Sequence, residues 1–107
     1  MTADPRLARL EAIIRERRGA DAGTSYVASL FAKGREKIAQ KVGEEATETV
    51  IAALSGDPAK LTSEAADLLF HLLILLEEGG SNLDAVLAEI ERREGVSGHA
   101  EKAARKD

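Results

Sequence analysis

Two acidic pairs mirrored about a single glycine constrain this chain more than any other feature. Glu45 and Glu48 stand three residues apart, as do Glu64 and Asp67, so each pair shares one helix face. Between the pairs lies the turn Gly56-Asp57-Pro58. Glu45 and Asp67 are equally far from Gly56, and so are Glu48 and Glu64. Two helices folding back antiparallel about that glycine bring Glu45 level with Asp67 and Glu48 level with Glu64. At ~1.5 Å rise per residue the inner pair lies ~12 Å from the turn.

Carboxylates gathered in this way repel, and in a part-buried groove they cannot all stay ionised without a counter-charge. A hard divalent cation with oxygen ligands, Mg²⁺ or in its place Mn²⁺, is the natural partner. The alternative is four acids on solvated helix faces, mirrored by chance. Cysteine is absent, which excludes disulfides and thiolate metal sites. Aromatic residues make up only 3% of the 107 positions, with no Trp, so the core must rest on Leu, Ile, Val and Ala. That favours helix packing over a sheet sandwich.

The pattern predicts an all-α fold of about five helices around a central antiparallel pair, one domain over residues 1–95 and a polar tail over 96–107. A first helix covers 4–18, with Asp4 as N-cap and Pro5 in the first turn; Leu7, Leu10, Ile13 and Ile14 recur at helical spacing. After the loop GADAGT (19–24), Thr24 or Ser25 caps a short helix from Tyr26 to Lys33, ended by Gly34. A third runs from Arg35 to Leu54 with Ile38, Val42, Ala46, Thr49, Val50 and Ala53 inward and the acids bordering that stripe. Gly43 within it costs about 1 kcal/mol relative to Ala, which either the close approach of a backbone or ligand or random drift would explain. Asp57-Pro58 starts a fourth helix, 58–78, containing LLFHLLILL (68–76). A helix apolar almost all round is buried on most sides, within the domain, a dimer or both. Ser81 to Asp84 resembles a capping box for a fifth helix, 82–94, with Leu83, Val86, Leu87 and Ile90 inward.

A net charge of −4 argues against general affinity for nucleic acid or anionic membrane. No apolar run approaches the ~20 residues that span a bilayer, and no signal-peptide core is present, so a cytoplasmic location is expected. Locally, residues 33–41 carry +3 through Lys33, Arg35, Lys37 and Lys41 against Glu36, and Glu44, Glu45 and Glu48 follow at once. A basic stretch running into an acidic one suits a polyanionic, metal-bound ligand such as a nucleotide triphosphate. Tyr26 could stack on a base or pack in the core. His71, one turn beyond Asp67, is a packed or hydrogen-bonded histidine, with ligand or base as the alternative.

E-E-x-x-E followed by E-x-x-D on the next helix resembles the signature of the all-α, MazG-like nucleoside triphosphate pyrophosphohydrolases. The strings SYVASLFAKGREKIAQKVGEEATETVIAAL (25–54), EAADLLFHLLILL (64–76) and SGHAEKAARK (97–106) narrow the resemblance to the phosphoribosyl-ATP pyrophosphohydrolases of histidine biosynthesis. The resemblance implies a MazG-like helical bundle, homodimeric, with Mg²⁺-dependent sites beside the subunit interface. It implies hydrolysis of phosphoribosyl-ATP at the α–β phosphoanhydride to phosphoribosyl-AMP and pyrophosphate, by a stand-alone form without a fused cyclohydrolase domain. Carried over, Glu45, Glu48, Glu64 and Asp67 hold the metal, and Glu44 makes a second metal contact or orients water. Glu44 or Glu48 takes the proton from that water, while Lys33, Arg35, Lys37 and Lys41 grip the triphosphate, or remain solvated surface side chains. Lys102 and Arg105 could close over phosphate from the tail. A broader (deoxy)nucleoside triphosphate pyrophosphohydrolase and a non-catalytic helical dimerisation module are the competing readings.

Overall fold

The computed structural model describes residues 4–95, which form five α-helices: α1 (Pro5–Arg17), α2 (Tyr26–Lys33), α3 (Arg35–Leu54), α4 (Pro58–Glu78) and α5 (Leu83–Arg92). The described residues contain no strand. Lys102, Arg105 and the predicted tail lie outside them. Short polar side chains start four helices by accepting an otherwise orphaned backbone N–H: Asp4 from Arg6, Ser25 from Ala28, Asp57 from Ala59 and Asn82 from Ala85. The capping box expected at Ser81 is therefore displaced by one residue. Asn82 holds the cap, because its carboxamide oxygen reaches the Ala85 N–H at 2.8 Å.

Helices α3 and α4 form a long antiparallel hairpin about Gly56, whose φ of +79° only glycine adopts at little cost. At the open end of the hairpin, Ile14 of α1, Val27 and Leu30 of α2, Ile38 of α3, and Leu73 and Ile74 of α4 bury one another, with Leu83 at the edge. Gly34, at φ +99°, turns α2 directly into α3 and so holds those two helices against the same core. The other end of the hairpin is bare. Residues 53–63 are all exposed.

The inward line of α3 is Ile38, Val42, Glu45, Thr49 and Ala52, alternating steps of four and three. This seam repeats every 3.5 residues, as two long helices packed along their lengths require. It differs from the expected stripe. Val50 and Ala53 lie outside, and Glu45 belongs to the seam with its side chain only 14% exposed. On α4 the least apolar stripe, with Glu64, His71 and Ile74, is the side turned inward, while Leu61 and Leu69 face out. The single chain thus leaves the apolar run of α4 partly open. Helix α5 is similar: Leu83 is buried, but Leu87 and Ile90 are exposed, because nothing among the described residues packs across them. A Cβ at Gly43 would meet nothing within 4 Å, so among the described residues no backbone of another element approaches it.

Two arginines close the C-terminal end of α4. The Arg18 guanidinium donates to the Glu77 carbonyl at 3.0 Å, pairs with the Glu77 and Glu78 carboxylates, and lies 5.0 Å from the Phe31 ring centroid. Arg35 donates to the Glu78 carbonyl at 3.1 Å. Carbonyls that end a helix without intrahelical donors, at the negative pole of its dipole, are thereby satisfied by cations.

The core assignment is testable by truncation. Ile38→Ala and Ile74→Ala should each lower unfolding free energy by about 2–5 kcal/mol in denaturant titrations, whereas Ile13→Ala on the outer side of α1 should cost about 1 kcal/mol or less. Equal losses at the three positions would contradict it.

Candidate metal and phosphate site

The inward seam of α3 meets the acidic stripe of α4 midway between core and turn. One carboxylate oxygen from each of Glu45, Glu64 and Asp67 lies within 4.8 Å of the others. Glu48 is not in that trio. It follows Glu45 by three residues and so leaves the seam sideways, to line a cleft of roughly 360 Å³ with Glu64, Ser55 and Lys60. A second cleft, roughly 400 Å³, runs on its other side past Lys41, Glu44, Glu45 and Thr47. Glu48 and Ile51 border both. The mirror placement therefore brings three acids together and sets the fourth at the rim.

Electrostatics reports the crowding. The Glu64 carboxyl is pushed above the usual carboxylate range, first by desolvation and then by the negative charges of Glu48, Asp67 and Glu45. Glu44 is shifted the opposite way. Gln40 donates to it at 2.8 Å and Lys41 pairs with it at 3.4 Å, and these bonds hold its carboxyl below the usual range. Lys41 also reaches Glu45 at 3.7 Å, so the less favourable Lys-before-Glu order does not prevent an ordinary helix ion pair. Its own pKa is raised, first by the bond to Glu44 and next by the Tyr26 phenol.

The rest of the predicted basic grip is dispersed. Lys37 is half-buried on the face that leads to Glu44 and contributes to lowering the Glu44 pKa. Lys33 is exposed at the last position of α2. Arg35 does not reach the acids: it is spent at the far end of α4 on Glu78, about three helical turns beyond Asp67. Lys60 takes a place that sequence reasoning missed, lining the Glu48–Glu64 cleft with no ion pair among the described residues. Its position one turn before Glu64 was the available signal.

His71 is buried with both ring nitrogens engaged. Nδ1 lies 2.7 Å from the Asp67 carbonyl oxygen, which can only accept, so Nδ1 carries the proton. In the neutral ring Nε2 then accepts from the Tyr26 hydroxyl at 2.8 Å. Neither nitrogen is left for a metal ion. The donor set facing the shared space is therefore all oxygen, with one crowded carboxyl at its centre, and this fits a hard dication.

A sequence model of the family described as Phosphoribosyl-ATP pyrophosphohydrolase matches residues 7–94. A protein of Rhizorhabdus wittichii named phosphoribosyl-ATP pyrophosphatase is 66% identical over 92% of this chain and 93% of its own length. Its namesake in Erythrobacter litoralis is 63% identical over 94% of this chain and 97% of its own, and that in Zymomonas mobilis 63% identical over 92% of each.

The raised Glu64 pKa has a definite consequence for stability. A folded pKa above the unfolded one favours the fold only while the group is protonated, so at neutral pH an ionised Glu64 is a net cost. In chelator Glu64→Gln should therefore unfold at a higher temperature than the parent. Added Mg²⁺ should raise the melting temperature of the parent and leave that of the variant nearly unchanged; the opposite order in calorimetric scans would contradict the crowding.

Proposed function

The chain belongs to the phosphoribosyl-ATP pyrophosphohydrolase family, and from that membership we infer that it is a phosphoribosyl-ATP pyrophosphatase acting in histidine biosynthesis. It cleaves the α–β phosphoanhydride of phosphoribosyl-ATP, giving phosphoribosyl-AMP and pyrophosphate. The observation that carries this reading to particular residues is the meeting of Glu45, Glu64 and Asp67 oxygens between α3 and α4. Those three would hold Mg²⁺, with Mn²⁺ as a substitute. When bound, the dication supplies charge neutralisation at phosphate oxygens and Lewis acidity toward water.

The protein's own residues then divide the work. Glu48, at the rim of both clefts, accepts the proton of the water that attacks the α-phosphorus. The bond from that phosphorus to the bridging oxygen breaks, and pyrophosphate leaves. Glu44 is a weaker base, because Gln40 and Lys41 stabilise its ionised form; it serves to orient water and to fix Lys41. Lys60 on one side and Lys37 on the other offer ammonium groups to the polyphosphate. Charge developing on the leaving group is stabilised there.

A homodimer completes the proposal, and a cytoplasmic location suits an enzyme of nucleotide-dependent biosynthesis; no helix among the described residues is long and apolar enough to cross a membrane. Ile51 is 64% and Leu54 83% exposed beside Val50 on α3, and Leu61 faces out on α4. A second copy of the hairpin would cover this apolar surface, which borders the clefts.

Glu48→Gln and Asp67→Asn should each reduce turnover of phosphoribosyl-ATP at least about 100-fold with helicity unchanged by circular dichroism. Release of single phosphate in place of pyrophosphate, or full activity in either variant, would overturn the assignment. Leu54→Glu should shift sedimentation from dimer to monomer; an unchanged sedimentation coefficient would remove this face from the interface.

A further inference from the structure

Tyr26 is the only tyrosine in a chain that has no tryptophan and two phenylalanines. Its hydroxyl is bound to a buried histidine, yet the residue is 51% exposed. Three contacts fix the ring. It lies nearly parallel to Phe70, at 17° with centroids 6.5 Å apart. It meets His71 edge-on at 80° and 5.7 Å. The His71 ring is locked in turn through Nδ1 to the carbonyl of Asp67, so one imidazole and two hydrogen bonds separate the phenol from the backbone of a carboxylate in the acidic cluster. Lys41 pairs with Glu45 of the same cluster.

A half-exposed aromatic ring held this rigidly has little freedom to lose when a flat partner covers it, and an aromatic face accepts any nucleobase. We propose that Tyr26 is the platform on which the substrate's adenine ring stacks, and that His71 is a positioning residue that sets the angle of that platform relative to the acidic cluster. The proposal rests on the phosphoribosyl-ATP reading for the identity of the base. The phenolic proton is committed to Nε2, so the ring contributes its π-face and an outward acceptor, and the adenine is held without a donor from Tyr26. Stacking of this kind acts equally on substrate and transition state, and its loss therefore appears in KM.

Because the chain has one tyrosine, isotope-labelled tyrosine gives a single set of ring signals in NMR. Saturating phosphoribosyl-AMP should move those signals through the ring current of the base, while inorganic pyrophosphate should leave them nearly in place. In kinetics, Tyr26→Leu should raise KM about ten-fold with kcat within about three-fold. Tyr26→Phe keeps the ring but loses the bond to His71, and should raise KM about three-fold. His71→Ala should match it, and the double variant should add nothing further. Tyrosine signals unmoved by saturating product, or a Tyr26→Leu variant that dissociates the assembly with KM unchanged, would overturn the platform. Turnover of phosphoribosyl-ATP with unmoved tyrosine signals would sink this inference alone. Moved signals without turnover would sink the proposed activity and leave the platform standing.

Discussion

Mutual repulsion among Glu45, Glu64 and Asp67 is the constraint around which the rest of the molecule is arranged. Apolar residues at these seam positions would pack α3 on α4 more favourably, since paired acids in a part-buried seam lose solvation without gaining an attraction. The chain accommodates them by separating two tasks along one hairpin. The open end, where Ile38, Leu73 and Ile74 meet α1 and α2, supplies the hydrophobic burial. The middle, where the seam carries Glu45, supplies the acids. The tip beyond residue 53 carries neither.

The same separation orders the basic residues. Arg18 and Arg35, with planar guanidinium groups suited to carbonyl and carboxylate oxygens, close the end of α4. Lysines stand near the acids: Lys41 within the cluster, Lys37 beside it and Lys60 across the cleft. An ammonium on a flexible stem can follow a polyphosphate as it reacts. The fixed fork of an arginine is better used where nothing moves.

Helix boundaries were legible because each has a local cause. Asp57-Pro58, Ser25 and the Gly34 joint act through backbone groups within a few residues, and the observed ends of α2, α3 and α4 coincide with the expected ones. The antiparallel hairpin about Gly56 was legible for the same reason. Rotation of each helix about its own axis was not. The expected stripe of α3 included Val50 and Ala53, whereas packing selected the line through Glu45 and Ala52, and hydrophobicity alone does not reveal that a glutamate holds a seam position. Arg35 was assigned to phosphate by its neighbours in sequence, but the bend at Gly34 points it to the end of α4. Only its position one turn before Glu64 marks Lys60 in the sequence, because its partner cleft exists only once the hairpin has closed. Tyr26 and His71, 45 residues apart, meet through tertiary packing that no local pattern encodes.

Crystallising the protein with manganese tests the central claim most directly, because anomalous scattering locates the ion independently of activity. With Mn²⁺ at saturating concentration, the account predicts an anomalous peak at about 2.0–2.3 Å from oxygens of Glu45, Glu64 and Asp67, lost in a Glu64→Gln crystal. A peak elsewhere on the surface, or none between α3 and α4, would contradict it.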